Sequence, residues 1–301
     1  MLKTLFLNPP SYNGYDGGAG SRYQCTREVK SFWYPTWLAQ LAALVEGSRL
    51  VDAPARGLTV DDILPMAKEY EFLVLYTSTP SFPNDVKIAE AFKNKNPKLI
   101  IGFCGAHVAV NPDHSILASD AIDFVAGNEF DFTIKEIAEG NSLENIDGLV
   151  YKKNGVPIHN KPRAIIEDMD SLPWVTKIYK DNLVTTDYYN GYMLHPYMSF
   201  YTGRGCKSHC SFCLWPQTIS GHKYRTRSVK NITAEIAWAR DNFPEIKEFF
   251  FDDDTLTDNI EHVEALAKEI GKLGIVWSCN CLLYTSPRPR DATLSRMPSS
   301  A

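Results

Sequence analysis

Three closely spaced cysteines are the residues of this chain with the clearest capacity for chemistry. Cys206, Cys210 and Cys213 lie within one short run of the sequence, Gly-Arg-Gly-Cys-Lys-Ser-His-Cys-Ser-Phe-Cys-Leu-Trp-Pro. Cysteine thiolates hold iron-sulfur clusters, and three of them can each ligate one iron of a four-iron, four-sulfur cluster. The fourth iron then has no protein ligand. The spacing therefore predicts a cluster with one iron open to a small molecule.

The residues alone leave other uses of these cysteines open. A tetrahedral zinc site would need a fourth ligand from His209, His222 or Cys279, although structural zinc favours paired C-x-x-C units separated by a longer gap. Unligated core cysteines would suit an apolar loop, whereas this loop carries Gly, Lys, Ser and His. The first ten residues do not form a secretory signal, so we expect a cytoplasmic, reducing location in which clustered cysteines indicate metal binding or catalysis.

A second chemical motif is the run of three carboxylates Asp252, Asp253 and Asp254, which directly follows an apolar segment. Adjacent carboxylates repel one another, so at least one of them should be solvated or paired with a cation. The alternative is that these carboxylates lie at the start of a helix, where the helix macrodipole favours negative charge. Asp254 or Asp258 would then have no role beyond that one.

Both motifs are expected at one end of a parallel sheet. The apolar pattern predicts strands over residues 197–202, 246–251 and 275–279 and helices over 231–242 and 259–273, the second helix with Asp258 and Glu261 as a capping pair. This alternation is typical of the start of a (β/α) barrel. The cysteines follow the first strand and the aspartates the second, on the face where such barrels place active sites.

The first 140 residues predict a flavodoxin-like (Rossmann-type) α/β domain, because short apolar runs alternate with helical patterns. Uninterrupted apolar runs suit strands that are buried on both faces of a parallel sheet. The predicted strands cover residues 5–7, 50–51, 72–76, 99–103 and 124–125, and the predicted helices cover 36–45, 60–69, 84–94 and 130–139.

Ligands of such sheets bind beyond the carboxyl ends of the strands. The loops at these positions are small, hydroxylated or glycine-containing, which lets a large planar ligand approach the backbone. The candidate contacts are Asn8, Ser78, Thr79, Gly105, His107, Gly127 and Glu129.

The remaining segments complete a four-part plan of 1–140, 141–195, 196–280 and 281–301. Residues 141–195 predict a hairpin, with Asn154-Gly155 as a type I′ turn, and then an ordered connector rich in proline and aromatic residues. Residues 281–301 have no apolar period and resemble translated sequencing-library adapter, so we expect them to be non-native. The natural chain would then be interrupted after Asn280, and this product would turn over weakly or not at all.

Charge and hydropathy limit the partners. The formal net charge is −5, and only residues 222–227 are locally basic, which argues against nucleic acid or an anionic membrane as the main partner. The basic run could meet a carboxylate or a phosphate. No apolar stretch approaches the length that crosses a bilayer.

The C-x-x-x-C-x-x-C spacing, with Phe212 directly before the third cysteine, resembles the signature of the radical S-adenosylmethionine enzymes. The resemblance implies that the amino and carboxylate groups of S-adenosylmethionine chelate the open iron, and that one-electron reduction releases a 5′-deoxyadenosyl radical. It also implies an electron donor such as flavodoxin or ferredoxin. For the site, it implies that Asp252, Asp253 or Asp254 accepts hydrogen bonds from the methionyl ammonium and that Phe212 lies near the adenine.

The front domain resembles the cobalamin-binding domain that precedes many of these barrels, through its Phe6-Leu-Asn-Pro-Pro10 opening and its strand-end loops. Residues 8–20 contain no histidine, so the lower-ligand motif D-x-H-x-x-G is absent. His107 is a candidate contact for cobalamin, and a capping or core hydrogen bond is the alternative for this side chain.

At finer grain residues 1–280 resemble the hopanoid biosynthesis-associated radical S-adenosylmethionine proteins. The residues that carry this resemblance are the runs 6–10, 16–23, 31–38, 77–86, 201–217 and 249–255. It implies rearrangement of an aminosugar ether into a cyclitol ether, on a small-molecule or lipid-linked sugar, by a protein located in the cytoplasm or at the inner membrane face. The alternatives are a cobalamin-dependent methyltransferase, an oxidative cyclase, or a zinc- or cobalamin-binding module without turnover.

Overall fold

A computed structural model of the chain describes residues 1–12, 31 and 33–281, together with the backbone of a two-residue ladder between Tyr15–Asp16 and Gln24–Cys25. The predicted foreign tail beyond residue 281 lies outside the described residues, as does nearly all of the run 16–23. Within the described part, no helix is both long and apolar enough to cross a membrane.

The front domain is built on a seven-stranded sheet. Its strands are β1 (Thr4–Asn8), β2 (Arg49–Asp52), β3 (Phe72–Tyr76), β4 (Ile100–Cys104), β5 (Phe124–Ala126), β6 (Leu149–Lys153) and β7 (Val156–His159). They lie side by side in the order β2-β1-β3-β4-β5-β6-β7, and the first five are parallel. The order 2-1-3-4-5 is that of flavodoxin. The predicted flavodoxin-like domain is therefore confirmed.

Helices cover both faces of this sheet, because the strands β1, β3, β4 and β5 bury apolar side chains on both faces. Alternate residues of β1 enter different cores: Phe6 packs in one hydrophobic cluster, and Leu5 and Leu7 pack in the other. The helices are α1 (Thr36–Leu44), α2 (Ala53–Arg56), α3 (Val60–Ile63), α4 (Phe82–Lys95), α5 (Ala106–Val110), α6 (Pro112–Leu117) and α7 (Asp131–Ala138).

Two parts of the front domain differ from the sequence prediction. The short helices α5 and α6 were not predicted, because Asn111-Pro112 interrupts the apolar period between them. The single helix expected over residues 60–69 is instead α3 followed by a 3₁₀ turn, Leu64–Lys68, with Pro65 at the junction.

The predicted hairpin is present, with positive φ angles of 54° at Asn154 and 77° at Gly155. Its first strand, β6, pairs antiparallel with β5. The hairpin therefore adds two strands to the front sheet, and strand pairing extends the front domain to His159 rather than to residue 140.

The connector that follows is ordered and lies between the two domains. Its helix α8 (Val175–Asn182) buries Tyr179, whose hydroxyl donates to the Ser199 carbonyl at 3.0 Å and lies 2.9 Å from Thr36 Oγ1. Trp174 Nε1 donates to Asn231 Oδ1 at 3.1 Å. One hydrophobic cluster runs through the front domain, the connector and the second domain.

The second domain has three parallel strands, in the order β8 (Tyr197–Phe200), β11 (Glu248–Phe251) and β12 (Trp277–Cys279). A short antiparallel ladder joins β9 (Gly203–Arg204) to β10 (Arg225–Thr226). The helices α9 (Val229–Asn242) and α10 (Ile260–Gly271) connect the parallel strands, which confirms the predicted start of a (β/α) barrel.

The predicted capping pair of α10 is wrong. Asn259 is the N-cap residue, and its side chain accepts from the backbone N–H of His262 at 3.1 Å. The Asp258 carboxylate instead contacts the Lys207 ammonium at 3.1 Å. Asp258 thus contacts the cysteine loop rather than the helix end.

Candidate active site

A cavity of about 280 Å³ lies beyond the carboxyl ends of β8 and β11. Its lining contains the three cysteines and the three consecutive aspartates that the sequence singled out. The other lining residues are Trp33, Tyr34, Trp37, Tyr201, Ser208, Phe212, Trp215, Thr255 and Asn280. The structure therefore brings both predicted motifs to one site.

The start of the cysteine loop is fixed by backbone geometry. Gly205 has a φ angle of +92°, and a Cβ atom there would lie 2.2 Å from the Lys223 carbonyl oxygen. Only glycine tolerates this conformation and this close approach. Next to it, Cys206 is buried, its N–H donates to the Gly221 carbonyl at 3.3 Å, and its Sγ lies 3.4 Å from Thr255 Oγ1.

The end of the loop is held by Gln217. Its Nε2 donates to the carbonyl oxygens of Cys210 and Cys213, at 3.1 and 2.7 Å, and the Cys213 N–H donates to the Cys210 carbonyl at 3.1 Å. Gln217 lies on a π-helical turn, Pro216–Ser220, directly after the cysteines. The loop is thus anchored on both sides, while the Phe212 ring is 90% exposed at the cavity rim.

In the described part of the chain, no three His, Cys, Asp or Glu side chains converge on one possible metal ion. A cubane cluster places each thiolate on a different iron, so its ligands need not share one centre. The proposed zinc ligands His209 and His222 stack their rings on each other, with centroids 4.0 Å apart.

The three aspartates have different surroundings. Asp253 is 0% exposed, and its carboxylate accepts from the N–H and the hydroxyl of Thr202, both at 2.6 Å, and from Tyr224 Oη at 2.8 Å. Burial raises the pKa of Asp253 to about 6 against the lowering effect of these hydrogen bonds. Its oxygens are therefore committed to the protein.

Asp254 and Asp252 lie on either side of this buried carboxylate. Asp254 Oδ2 accepts from the N–H of Gly205 at 3.1 Å and from Ser220 Oγ at 2.7 Å, so it also holds the protein. Burial raises its pKa. Asp252 is half-buried at the cavity wall, and its Oδ1 accepts from Asn280 Nδ2 at 2.9 Å. Of the predicted ligand contacts in this trio, Asp252 is the best placed.

The front domain supplies an aromatic wall of the cavity, which the sequence did not place there. The centroid of the Trp37 ring lies 5.0 Å from that of Tyr201 and 6.3 Å from that of Trp215. The ring centroids of Trp33 and Phe250 are 6.1 Å apart. The aromatic run 31–38 was the available signal, but sequence pattern does not show which distant strand end it meets. The site is therefore shared by both domains.

The predicted cobalamin contacts lie at the carboxyl edge of the front sheet, with different degrees of exposure. Thr79 is exposed and Gly127 half-exposed. Asn8 is buried, and its Nδ2 donates to Asp52 Oδ1 at 2.7 Å. Ser78 is buried with its hydroxyl 3.0 Å from Ser81 Oγ.

Two buried polar atoms at this edge lack a hydrogen-bond partner within the described chain: the Tyr76 hydroxyl and His107 Nε2. The other ring nitrogen of His107 lies 3.1 Å from Thr79 Oγ1. Burial lowers the pKa of His107, which favours the neutral ring. Gly105 is required here, because its φ angle is +111° and a Cβ would lie 2.5 Å from the Thr77 carbonyl oxygen.

Glu129 is not placed to contact a ligand at this edge of the sheet, although the sequence predicted such a contact. Its carboxylate is buried, with both oxygens accepting from the Arg225 guanidinium at 2.8 Å. A buried carboxylate needs such compensation. The basic run 222–227 accordingly meets carboxylates of the protein itself, since Arg227 also lies 2.6 Å from Glu235.

The chain matches no protein-family model. It is 30% identical over 296 residues to an uncharacterized methyltransferase of Pyrococcus horikoshii, covering 95% of this chain and 61% of that relative. It is 24% identical over 265 residues to the cytidylyl-2-hydroxyethylphosphonate methyltransferase of Streptomyces wedmorensis, covering 74% of this chain and 47% of that enzyme. The anaerobic magnesium-protoporphyrin IX monomethyl ester cyclase of Synechocystis is 25% identical over 168 residues, 54% of this chain and 32% of the cyclase.

Two solved structures share the fold. The radical S-adenosylmethionine methyltransferase TsrM of Kitasatospora setae, solved with cobalamin and a [4Fe-4S] cluster, has a TM-score of 0.61 at 15% identity, over 91% of this chain and 51% of TsrM. The cobalamin-dependent S-adenosylmethionine radical enzyme OxsB has a TM-score of 0.58 at 15% identity, over 85% of this chain and 37% of OxsB. The chain thus has the two-domain fold of these enzymes and spans about half the length of the proteins it matches.

Proposed function

We propose that this chain carries the cofactor-binding domains of a cobalamin-dependent radical S-adenosylmethionine enzyme of the methyltransferase type. The observation that carries the proposal is the single cavity in which Cys206, Cys210 and Cys213 meet the aspartates at the strand ends. The fold shared with TsrM and OxsB supports it. Because the chain spans only part of its relatives, the substrate and the complete reaction belong to the proposal as well.

When bound, the cluster with S-adenosylmethionine would supply one-electron bond cleavage, and cobalamin would supply a methyl carrier. The residues of the chain would bind and orient these groups. The three cysteines would ligate three irons, and the half-buried Asp252 would accept hydrogen bonds from the methionyl ammonium. Asp253 and Asp254 hold the strand ends and the cysteine loop, and exposed Phe212 lies where an adenine could pack.

Cobalamin would lie over the carboxyl edge of the front sheet. Exposed Thr79 and half-exposed Gly127 would contact it directly, and Gly105 lets its loop approach the Thr77 backbone closely. Cobalamin carries peripheral amides that both donate and accept hydrogen bonds. Such groups suit the two unpaired buried atoms there, the Tyr76 hydroxyl and His107 Nε2.

The finer sequence predictions remain proposals. The resemblance to the hopanoid subgroup predicts a head-group rearrangement on a small-molecule or lipid-linked sugar, with a flavodoxin or ferredoxin as electron donor and a cytoplasmic or peripheral membrane location. The relatives are instead two methyltransferases and a cyclase, which favours methyl transfer or cyclisation. Both reactions are among the alternatives that the sequence analysis left open. We therefore place methyl transfer first and the hopanoid rearrangement second.

Anaerobic iron-sulfur reconstitution of this chain tests the proposal. We expect a brown protein with about four irons per chain and loss of that colour in Cys206→Ala, Cys210→Ala or Cys213→Ala. Cys104→Ala is the matched control, because Cys104 is a buried free cysteine of the front sheet. A colourless protein with one zinc per chain would overturn the proposal and favour the zinc module.

Cobalamin binding is measured separately on the same preparation. We expect the cobalamin spectrum to stay with the protein through gel filtration. Under reducing conditions we expect S-adenosylmethionine cleavage or methyl transfer to be slow at most, in keeping with the weak turnover expected of this chain. A protein that loads the cluster but retains no cobalamin would contradict the cobalamin-dependent class while keeping the radical S-adenosylmethionine class.

A further inference from the structure

Four buried charges connect the front sheet to the cysteine loop. The Arg204 guanidinium is bidentate to Asp131, with Nη1–Oδ2 and Nη2–Oδ1 distances of 2.8 and 3.0 Å, and its Nη1 lies 3.8 Å from Glu129 Oε1. Glu129 in turn pairs with Arg225. All four residues are at most 5% exposed, and their charges balance. The network thus joins two elements that are distant in sequence.

The two ends of this network lie beside the two predicted cofactor sites. Asp131 begins α7 and follows the front-sheet loop at Gly127 by four residues. Arg204 precedes the cluster ligand Cys206 by two residues and lies on the β9–β10 ladder. A shift of the front loop relative to the barrel would therefore strain the cysteine loop directly.

Arg204 also contacts a wall of the cavity. Its guanidinium carbon lies 4.7 Å from the centroid of the Trp37 ring, which lines the cavity and is 6% exposed. The Trp37 indole N–H has no hydrogen-bond partner within the described part of the chain. The ring is therefore oriented by packing alone, and the stacked guanidinium is the charged part of that packing.

Lysine cannot replace arginine in this arrangement. A guanidinium offers a planar fork that matches a carboxylate and a flat face that stacks on an aromatic ring, whereas an ammonium is a point charge. A buried ion pair is also weak evidence for stability, because desolvation offsets much of the attraction. The geometry of Arg204 is thus better explained by a role in orienting Trp37 and the cysteine loop than by a contribution to the stability of the fold.

We propose that Arg204, held by Asp131, is a positioning residue that sets Trp37 and the start of the cysteine loop for S-adenosylmethionine binding. The inference rests on the proposed function for the identity of the ligand. It assigns no contact between Arg204 and the ligand. It predicts instead that loosening the Asp131–Arg204 pair changes the cavity without removing the cluster ligands.

The test compares Asp131→Asn, Arg204→Lys and Trp37→Phe with Glu136→Gln. Glu136 lies on the same helix α7 and pairs with Arg163 at 2.6 Å, and it takes no part in the ion pairs of Arg204 and Arg225. The S-adenosylmethionine dissociation constant is read from the ligand-induced change in the electron paramagnetic resonance spectrum of the reduced cluster. The melting temperature of each variant is measured beside it.

We expect iron loading close to wild type in all four variants and about tenfold weaker S-adenosylmethionine binding in Asp131→Asn, Arg204→Lys and Trp37→Phe. Glu136→Gln should bind the ligand like wild type, even where its melting temperature falls. Dissociation constants within twofold of wild type in Asp131→Asn and Arg204→Lys, with only the melting temperature lowered, would overturn the inference.

A second readout needs no cofactor. The protein is labelled with 5-fluorotryptophan, and the Trp37 fluorine resonance is assigned by its loss in Trp37→Phe. We expect this resonance to shift or broaden in Asp131→Asn and Arg204→Lys but not in Glu136→Gln. An unchanged resonance refutes the positioning role. A wild-type chain that loads no iron refutes the proposed function instead, so the two failures are distinguishable.

Discussion

The carboxylate of Asp254 accepts a hydrogen bond from the backbone N–H of Gly205, at 3.1 Å. The aspartate follows β11 and the glycine follows β8, so the end of one strand holds the cysteine loop that begins at the end of its neighbour. Adjacent parallel strands bring their carboxyl ends to the same edge, which makes this contact possible. The two chemical motifs of the sequence are therefore one structural unit.

Asp254→Ala should impair cluster loading. The substitution leaves the Gly205 N–H and the Ser220 hydroxyl without their acceptor, which costs on the order of 1–3 kcal/mol when such groups are buried. We expect fewer irons per chain after reconstitution, measured by iron and sulfide analysis. Ser220→Ala, which removes only one donor, should load iron close to wild type. Full loading in Asp254→Ala would show that the loop does not depend on this contact.

Gly205→Ala should destabilise the protein far more than a similar change at Gly274. Both residues have positive φ angles, +92° and +64°, and alanine in this region costs about 1–2 kcal/mol. At Gly274 nothing lies within 4 Å of the added Cβ, whereas at Gly205 it would lie 2.2 Å from a backbone oxygen. Urea unfolding of the two variants measures the difference. Equal losses would contradict the close packing of the loop start.

The stability of the front domain should depend on the protonation of Asp85. Burial raises its pKa to about 6, although Thr77 Oγ1 donates to the carboxylate at 2.7 Å. Because the folded-state pKa lies above the unfolded value, stabilisation is complete below about pH 4 and is lost as the pH rises through about 6. The ionised group then costs about 3 kcal/mol at neutral pH.

Asp85→Asn removes this dependence, because the amide does not ionise. We expect the variant to gain stability relative to wild type between pH 4.5 and pH 7, measured as the difference in free energy of unfolding in urea. Asp61→Asn, an exposed change in the same domain, serves as the control. A difference between wild type and Asp85→Asn that stays constant over this range would contradict the assignment.

Much of the fold follows from local sequence pattern. The parallel strands are mostly apolar runs, as in β1, β3 and β11, and burial on both faces requires such runs. The short helices α5 and α6 escape this pattern, because each has at most six residues and a proline separates them. The helical spacing of apolar residues can be recognised only in a segment longer than about two turns.

The site was predictable only in its local parts. The cysteine spacing and the aspartate run are contiguous, so their chemistry is legible in the sequence. Trp37 reaches the cavity across more than 160 residues of chain, and Arg204 meets Asp131 across 73. Apolar pattern predicts that these residues are buried or paired but not which partner they meet. Glu129 shows the same limit, since its position in a strand-end loop indicated a ligand contact while a distant arginine occupies its carboxylate.

Asp252→Asn and Asp253→Asn should separate ligand binding from stability. Asp253 is fully buried with three donors on its carboxylate, and an amide offers one oxygen and an N–H₂ group that opposes those donors. At pH 5, below the raised pKa of Asp253, we expect Asp253→Asn to lose about 2–3 kcal/mol of unfolding free energy. Asp252 is half-buried at the cavity wall, so Asp252→Asn should keep its stability and bind S-adenosylmethionine about tenfold more weakly.

Urea unfolding and the ligand-induced change in the spectrum of the reduced cluster measure the two effects on the same preparations. The pairing of the variants is itself the control, because the two positions are adjacent and the chemical change is identical. If Asp252→Asn bound S-adenosylmethionine like wild type while Asp253→Asn did not, the contact would belong to the buried carboxylate. The cavity would then have to open around Thr202 and Tyr224 on ligand binding, since both now occupy the Asp253 oxygens.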